Sequence, residues 1–320
     1  MVLVGTVLFL IIGLSVLFFG AHFLVNGSSS LARRLSISEM AIGLTLVAFG
    51  TSTPELVVNI FSSLSSHSDI VFGNIIGSNV FNILVILGIS GIIYPLTVQS
   101  NTVWKEIPFS FLAVLLLFML VNDKVIFHST QNQLSSLDGL IFIGLFIVFL
   151  VYVFGISRIM STDTLAVKVY SPLKTVLFVI VGFACLFIGG KLVIDNSIQL
   201  ARQLLVSEKL IAITIVAGGT SLPELATSVV AAYKRKCDIA IGNIVGSNIF
   251  NIFFILGISS FIKSSPYNPA FNVDLLVLIV ATLVLFVTMF TGSNRRLDRW
   301  EAVVFVITYI IYLIFLFYRK

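Results

Sequence analysis

Long apolar runs separated by short polar gaps organise the chain. Ten such runs stand out, at 3–25, 39–64, 70–97, 106–122, 136–156, 171–193, 208–232, 239–263, 272–291 and 300–318. Each approaches or exceeds the roughly 20 residues that a helix needs to cross a bilayer core. The runs are continuous rather than alternating with period two, which predicts helices and not barrel strands. The expected fold class is therefore an all-α polytopic membrane protein of about ten transmembrane helices. The first run, MVLVGTVLFLIIGLSVLFFG, lacks the basic start and small-residue cleavage pattern of a signal peptide and is read as a span.

Composition sharpens that reading. With 58% hydrophobic and 10% charged residues the chain cannot cover a soluble surface, and mean hydropathy is +1.12. The net charge of +5 is spread over short gaps and implies no nucleic-acid partner. Twelve of the 19 Lys and Arg residues fall in the gaps after odd-numbered runs, from Arg33 and Arg34 to Arg295, Arg296 and Arg299. Positive gaps stay inside, so both termini are expected outside, in a plasma (cell inner) membrane. Cys185 and Cys237 lie far apart in sequence and suggest neither a disulfide framework nor a thiolate metal site.

A shift of 169 residues lays the chain on itself. Val47–Leu56, VAFGTSTPEL, falls on Val216–Leu225, VAGGTSLPEL; Gly73–Ser90, GNIIGSNVFNILVILGIS, falls on Gly242–Ser259, GNIVGSNIFNIFFILGIS. Two halves of five spans each follow. An odd span number makes the second copy enter the membrane from the opposite side, an inverted-topology repeat of the kind common in secondary transporters. The expected division is 1–156, a polar connection at 157–170, and 171–320.

The repeated motifs place carboxylates in oil. Glu55 and Glu224 sit about two-thirds through spans 2 and 7, where an ionised side chain costs several kcal/mol unless it meets water, a cation or a proton. Pro54 and Pro223 cannot donate to the carbonyls of Gly50 and Gly219, so the helices can open there and turn backbone oxygens inward. Asn74, Ser78 and Asn82 recur at four-residue steps on one face of span 3, as do Asn243, Ser247 and Asn251 on span 8. Carboxylates, amides, hydroxyls and carbonyls together make a donor set for hard cations. Two glutamates carry about −2, which one Ca²⁺, two Na⁺ or two protons would balance.

These motif copies resemble the two alpha repeats of the calcium/cation antiporter superfamily, in its sodium/calcium exchanger branch. The resemblance implies alternating-access exchange of Ca²⁺ for Na⁺ at four midplane ion sites, with two gating helices that slide. It implies that Glu55 and Glu224 are shared ligands, that Thr51, Thr220, Ala48 and Ala217 offer backbone carbonyls, that Ser52, Ser78, Ser221 and Ser247 complete outer Na⁺ positions, and that Asn82 and Asn251 line the centre. Some family members carry aspartate at the position of Asn251; here both copies have asparagine, which removes a possible charge and leaves the ion ratio and any K⁺ requirement open.

Alternatives remain beside this reading. Ca²⁺/H⁺ exchange on the same fold would also neutralise the glutamates, although the Thr51-Ser52 and Thr220-Ser221 hydroxyls suit dehydrated Na⁺. An intramembrane enzyme would need a metal motif or a nucleophile beside a base, and the sequence shows neither; no resident cofactor is expected. A passive channel conducts poorly through a tight carboxylate pair. Some polar positions have structural readings. Ser38-Glu39 and Ser207-Glu208 read as helix starts, as do Asp69 and Asp238. Lys234-Arg235-Lys236 reads as a topology anchor, and His67 and His128 as loop residues.

Overall fold

A computed structural model describes residues 2–126, 131–156, 169–203 and 217–319. Its helices are α1 (Val2–Leu35), α2 (Glu39–Thr51 continued by Thr53–Leu64), α3 (Ser68–Ile93), α4 (Thr102–Val121) and α5 (Ser136–Ile156). The second half repeats the series as α6 (Pro172–Gln203), α7 (Ala217–Gly219 continued by Leu222–Tyr233), α8 (Cys237–Ile262), α9 (Asn272–Thr288) and α10 (Arg299–Tyr318). Among the described residues, eight unbroken helices are long and apolar enough to cross a membrane, and the bent α2 makes nine. The predicted span 7 begins at 208, outside the described residues, so α7 is seen only from Ala217 onward.

Burial separates the helices into an inner and an outer set. In α8, 94% of the apolar window is buried, and in α3, 72%, against 22–39% for the other six unbroken spans. The two helices that carry the Asn and Ser stripes, α3 and α8, are thus the centre of the molecule, and Phe-, Leu- and Ile-rich faces of the outer helices look outward, as lipid-facing surface should.

Helices α1 and α6 run about ten residues beyond the apolar runs that predicted them, to Leu35 and Gln203. The reason lies in their mutual packing. Gly13, Gly20 and Gly27 on α1 face Val193, Leu186 and Val179 on α6, so rising numbers meet falling ones and the pair is antiparallel. A Cβ at Gly20 would lie 2.9 Å from the Leu186 amide nitrogen, and one at Gly189 would lie 2.7 Å from that of Leu17. Only glycine allows so close a backbone approach. The polar tail of α1 stays helical because it too is covered: Ser28, Ser29 and Ser30 are buried, and Ser30 Oγ lies 2.8 Å from Thr175 Oγ1.

Short strands report the topology. β1 (Leu96–Thr97), between α3 and α4, pairs with β4 (Arg296–Leu297), between α9 and α10. β2 (Gln133–Leu134), between α4 and α5, pairs with β3 (Ser265–Pro266), between α8 and α9. Connections after odd helices therefore meet one another at one face, and those after even helices meet at the other. The Lys234-Arg235-Lys236 run ties helices together at the first face. Lys234 Nζ donates to the His22 carbonyl (3.1 Å) and to Asn26 Oδ1 (2.9 Å), Lys236 pairs with Glu39 (2.8 Å), and Arg235 lies over the Tyr94 ring. Ser38 caps α2 by accepting from the Ala41 amide (3.1 Å). Asp69 and Asp238 do not cap: the residues preceding α3 and α8 are His67 and Lys236, and the Asp238 carboxylate instead accepts from the Gln99 side chain. Ser207, Glu208 and His128 lie outside the described residues.

Single cysteines introduced at Ser36 and Ser66, after Cys185 and Cys237 are replaced by serine, test this arrangement in sealed vesicles. A membrane-impermeant maleimide added outside is expected to label one position and spare the other.

Candidate functional site

The site begins where two helices break. Pro54 has no N–H to give the Gly50 carbonyl, and α2 bends by 49° between Thr51 and Thr53. At the break Ser52 has φ −83° and ψ 8°; in the second half Ser221 has φ −86° and ψ 9°, so the two copies turn alike. The consequence is that Glu55 and Glu224 each stand in the first turn of a new helix, Thr53–Leu64 and Leu222–Tyr233. Free N–H groups and the positive end of the helix dipole favour a carboxylate there. α6 crosses both breaks closely: a Cβ on Gly50 would lie 2.0 Å from the Phe183 ring, and one on Gly219 would lie 2.6 Å from Ile194.

Each half then supplies the hydrogen bonds of the other. Ser52 Oγ donates to Glu224 Oε1 at 2.7 Å, and Ser221 Oγ donates to Glu55 Oε1 at 3.2 Å. Thr51 Oγ1 donates to Asn243 Oδ1 at 3.1 Å, and Thr220 Oγ1 to Asn74 Oδ1 at 3.5 Å. Asn82 Nδ2 donates to Asn248 Oδ1 at 2.9 Å, and Asn251 Nδ2 to Asn79 Oδ1 at 2.8 Å. The two glutamates are 1% exposed each.

What these bonds leave over is more telling than what they satisfy. Among the described residues, Glu55 Oε2, Glu224 Oε2, Asn82 Oδ1, Asn251 Oδ1, Ser78 Oγ and Ser247 Oγ are buried without a hydrogen-bond partner. Buried polar atoms without partners are rare in folded proteins; these six form three pairs related by the repeat, and Ser90 and Ser259 Oγ, farther along α3 and α8, form a fourth. Each amide has its nitrogen committed and its oxygen free. Such a set can accept hard cations: two carboxylate oxygens bring the charge, and neutral oxygens complete a shell.

The helix geometry helps to aim them. α3 widens into π turns over Asn82–Leu87, and α8 does so over Phe250–Leu256, directly at the two amides. Widened turns of this kind recur at functional sites. The other expected donors differ. The Ala48 carbonyl accepts from the Ser52 amide (3.0 Å) and more weakly from Thr51 Oγ1 (3.4 Å), so it is not freed by the break. Ala217 opens the described part of α7. Asn74 and Asn243 act as buttresses: Asn74 Nδ2 donates to Asn59 Oδ1 (2.8 Å) and Asn243 Nδ2 to Ser228 Oγ (2.9 Å).

Asn79, Asn248, Asn59 and Ser228 were not in the sequence-derived set. Asn79 and Asn248 fall off the four-residue stripe, and their one visible signal is identity in register between the copies. Replacing Asn79 or Asn248 by alanine strands a buried amide and is expected to cost about 1–3 kcal/mol of stability. Thermal unfolding in detergent would show this as a lowered midpoint for both variants.

Comparison with known proteins places the whole chain. The family model described as sodium/calcium exchanger protein matches residues 5–155 and 174–318. The sodium/calcium exchanger MaX1 of Methanosarcina acetivorans is 31% identical over 345 aligned positions, covering 97% of this chain and 98% of that one. The inner membrane protein YrbG of Escherichia coli is 34% identical, with 86% of each chain covered. Among solved structures, the sodium-calcium exchanger NCX_Mj soaked with 10 mM Na⁺ and 10 mM Sr²⁺ superposes with a TM-score of 0.82 at 31% identity, covering 96% of this chain and 97% of that one.

Proposed function

The chain belongs to the sodium/calcium exchanger protein family and is a cation antiporter, and from that premise we propose that it exchanges Ca²⁺ for Na⁺ at the Glu55–Glu224 centre. The observation that carries this reading is the set of six partnerless buried oxygens in three symmetry pairs. Stripped of cations, two such carboxylates would be uncompensated charges in a low dielectric, which costs several kcal/mol per ion. One Ca²⁺ or two Na⁺ removes that cost equally well by charge. Loading with one ion or the other then gives two acceptable states and makes the empty site the unfavourable one, which is what couples opposite fluxes.

Ser52 and Ser221 have a role in both states. Their hydroxyl protons hold the glutamates, while their lone pairs stay available to an ion beside the carboxylate. Ser78 and Ser247, with Thr51 and Thr220, extend the donor set toward each half. Asn82 and Asn251 line the centre with neutral oxygen, so the charge of the core is set by two glutamates alone. Residues 1–156 and 171–320 act as the two halves, joined through 157–170, with both termini outside a plasma membrane. Access alternates by movement of the glycine-seamed pair α1 and α6, whose Phe183 and Ile194 pass over the two helix breaks.

The test is ⁴⁵Ca²⁺ uptake into proteoliposomes under an imposed Na⁺ gradient and, separately, an imposed pH gradient. Uptake is expected with the Na⁺ gradient and is expected to fall by about a hundredfold or more in Glu55→Gln and Glu224→Gln, since each variant removes half the site's charge. Uptake driven by the pH gradient alone would replace the reading with Ca²⁺/H⁺ exchange.

A further inference from the structure

A second buried carboxylate lies well away from the Glu55–Glu224 centre. Glu106, in the first turns of α4, is 5% exposed. Its Oε1 accepts from the Tyr152 hydroxyl of α5 at 2.5 Å, and its Oε2 has no partner among the described residues. Both residues line a cavity of about 30 Å³, together with Ser38, Ala41, Gln99 and Thr102. That is room for about two water-sized particles. The cavity lies at the face where the connections after odd helices meet, under the Ser38 cap of α2. Seventeen residues of α2 separate Ser38 from Glu55, about 25 Å of helix, so the two sites are distinct.

The other half of the molecule shows what such a carboxylate needs. Asp274, in the first turn of α9 and one residue out of the repeat register with Glu106, is 4% exposed and also accepts from a tyrosine on the next helix, Tyr312 (2.7 Å). There the chain supplies its own cation: Arg319 donates to Asp274 Oδ1 (3.2 Å) and Oδ2 (2.8 Å). In the first half no described Lys or Arg bridges to Glu106. Lys105, its neighbour in sequence, is turned over the Tyr152 ring instead, 5.6 Å from its centroid. A buried carboxylate is ordinarily paired, and here a small cavity lies beside it, in which Ser38, Gln99 and Thr102 stand among the apolar Met40, Leu44 and Val153.

We propose that this cavity binds one small monovalent cation, with Glu106 as its charged ligand and Ser38, Gln99 and Thr102 as neutral oxygen donors. Glu106 is the one carboxylate among the lining residues, Asp238 being bonded to Gln99 without lining the cavity, so a single positive charge balances it, whereas a divalent ion would leave the cavity at +1. The donors are hard oxygens, as an alkali cation requires. Because Ser38, Ala41 and Leu44 of α2 form one wall, the bound ion sits at the root of the helix that carries Glu55 and stabilises its start.

Equilibrium binding of ²²Na⁺ to the purified full chain tests this, using Glu55→Gln/Glu224→Gln as the parent so that the central charge is absent. About one Na⁺ per chain is expected to remain in the parent and to be lost when Glu106→Gln is added. Ala41→Val, which fills the cavity and keeps the carboxylate, is expected to lower the bound Na⁺ as well. Monodisperse elution of each variant shows that it folds. Equal Na⁺ binding with and without Glu106, no Na⁺ bound by the parent, or ⁴⁵Ca²⁺ occupying the Glu106 position in the presence of Na⁺ would each overturn the assignment. Loss at Glu106 is read against its own parent, so it stands or falls separately from the Glu55–Glu224 reading: if that reading is wrong, the parent and the unmodified chain bind the same amount of Na⁺.

Discussion

Two carboxylates held in a low dielectric within reach of one another govern this molecule. Neither can stay ionised there without a counter-charge, and among the described residues no Lys or Arg is paired with Glu55 or Glu224. The protein instead spends its local structure on making the pair tolerable. Broken helices bring the positive ends of two new helix starts to the glutamates, and each Ser of the opposite half donates one hydroxyl to them. One oxygen of each carboxylate is satisfied and one is left over. The residual demand is for positive charge, and mobile cations can answer it.

Inverted repetition is what makes this arrangement economical. A motif copied once and turned over places Ser52 on Glu224 and Ser221 on Glu55, Asn82 on Asn248 and Asn251 on Asn79. Neither half completes its own site. The same relation would make the centre equivalent when approached from either face, as the proposed alternating access requires. It extends outward: the β1–β4 pair at one face has its counterpart in β2–β3 at the other. Outside the repeat register the halves differ: Asp274 has Arg319, while Glu106 lines a cavity.

Much of this was legible in the residues. Glu55 and Glu224 stood out because charge is expensive at that depth, and Pro54 and Pro223 because proline dictates a missing N–H whatever the surroundings. These are local rules and transfer directly to structure. The reach of α1 and α6 was not legible, because hydropathy stops at the polar serines while the helices continue wherever a partner covers them. Asn79 and Asn248 escaped because helical periodicity assigns a face and says nothing of a bond made across two helices. A freed carbonyl was expected at Ala48, yet the Ser52 amide reaches back to it; Pro54 itself has no N–H to give the Gly50 carbonyl. Glu106 gave no signal, since a single Glu at the start of an apolar run reads as an ordinary surface residue.

The central claim is that Ca²⁺ and Na⁺ compete for the same buried oxygens. Displacement of ⁴⁵Ca²⁺ from the purified chain by Na⁺, measured at equilibrium in detergent, tests it most directly. The account predicts complete displacement along a curve steeper than one Na⁺ for one Ca²⁺, with no specific ⁴⁵Ca²⁺ bound by Glu55→Gln/Glu224→Gln. Calcium that stays bound at saturating Na⁺, or that binds equally well without the two glutamates, would contradict it.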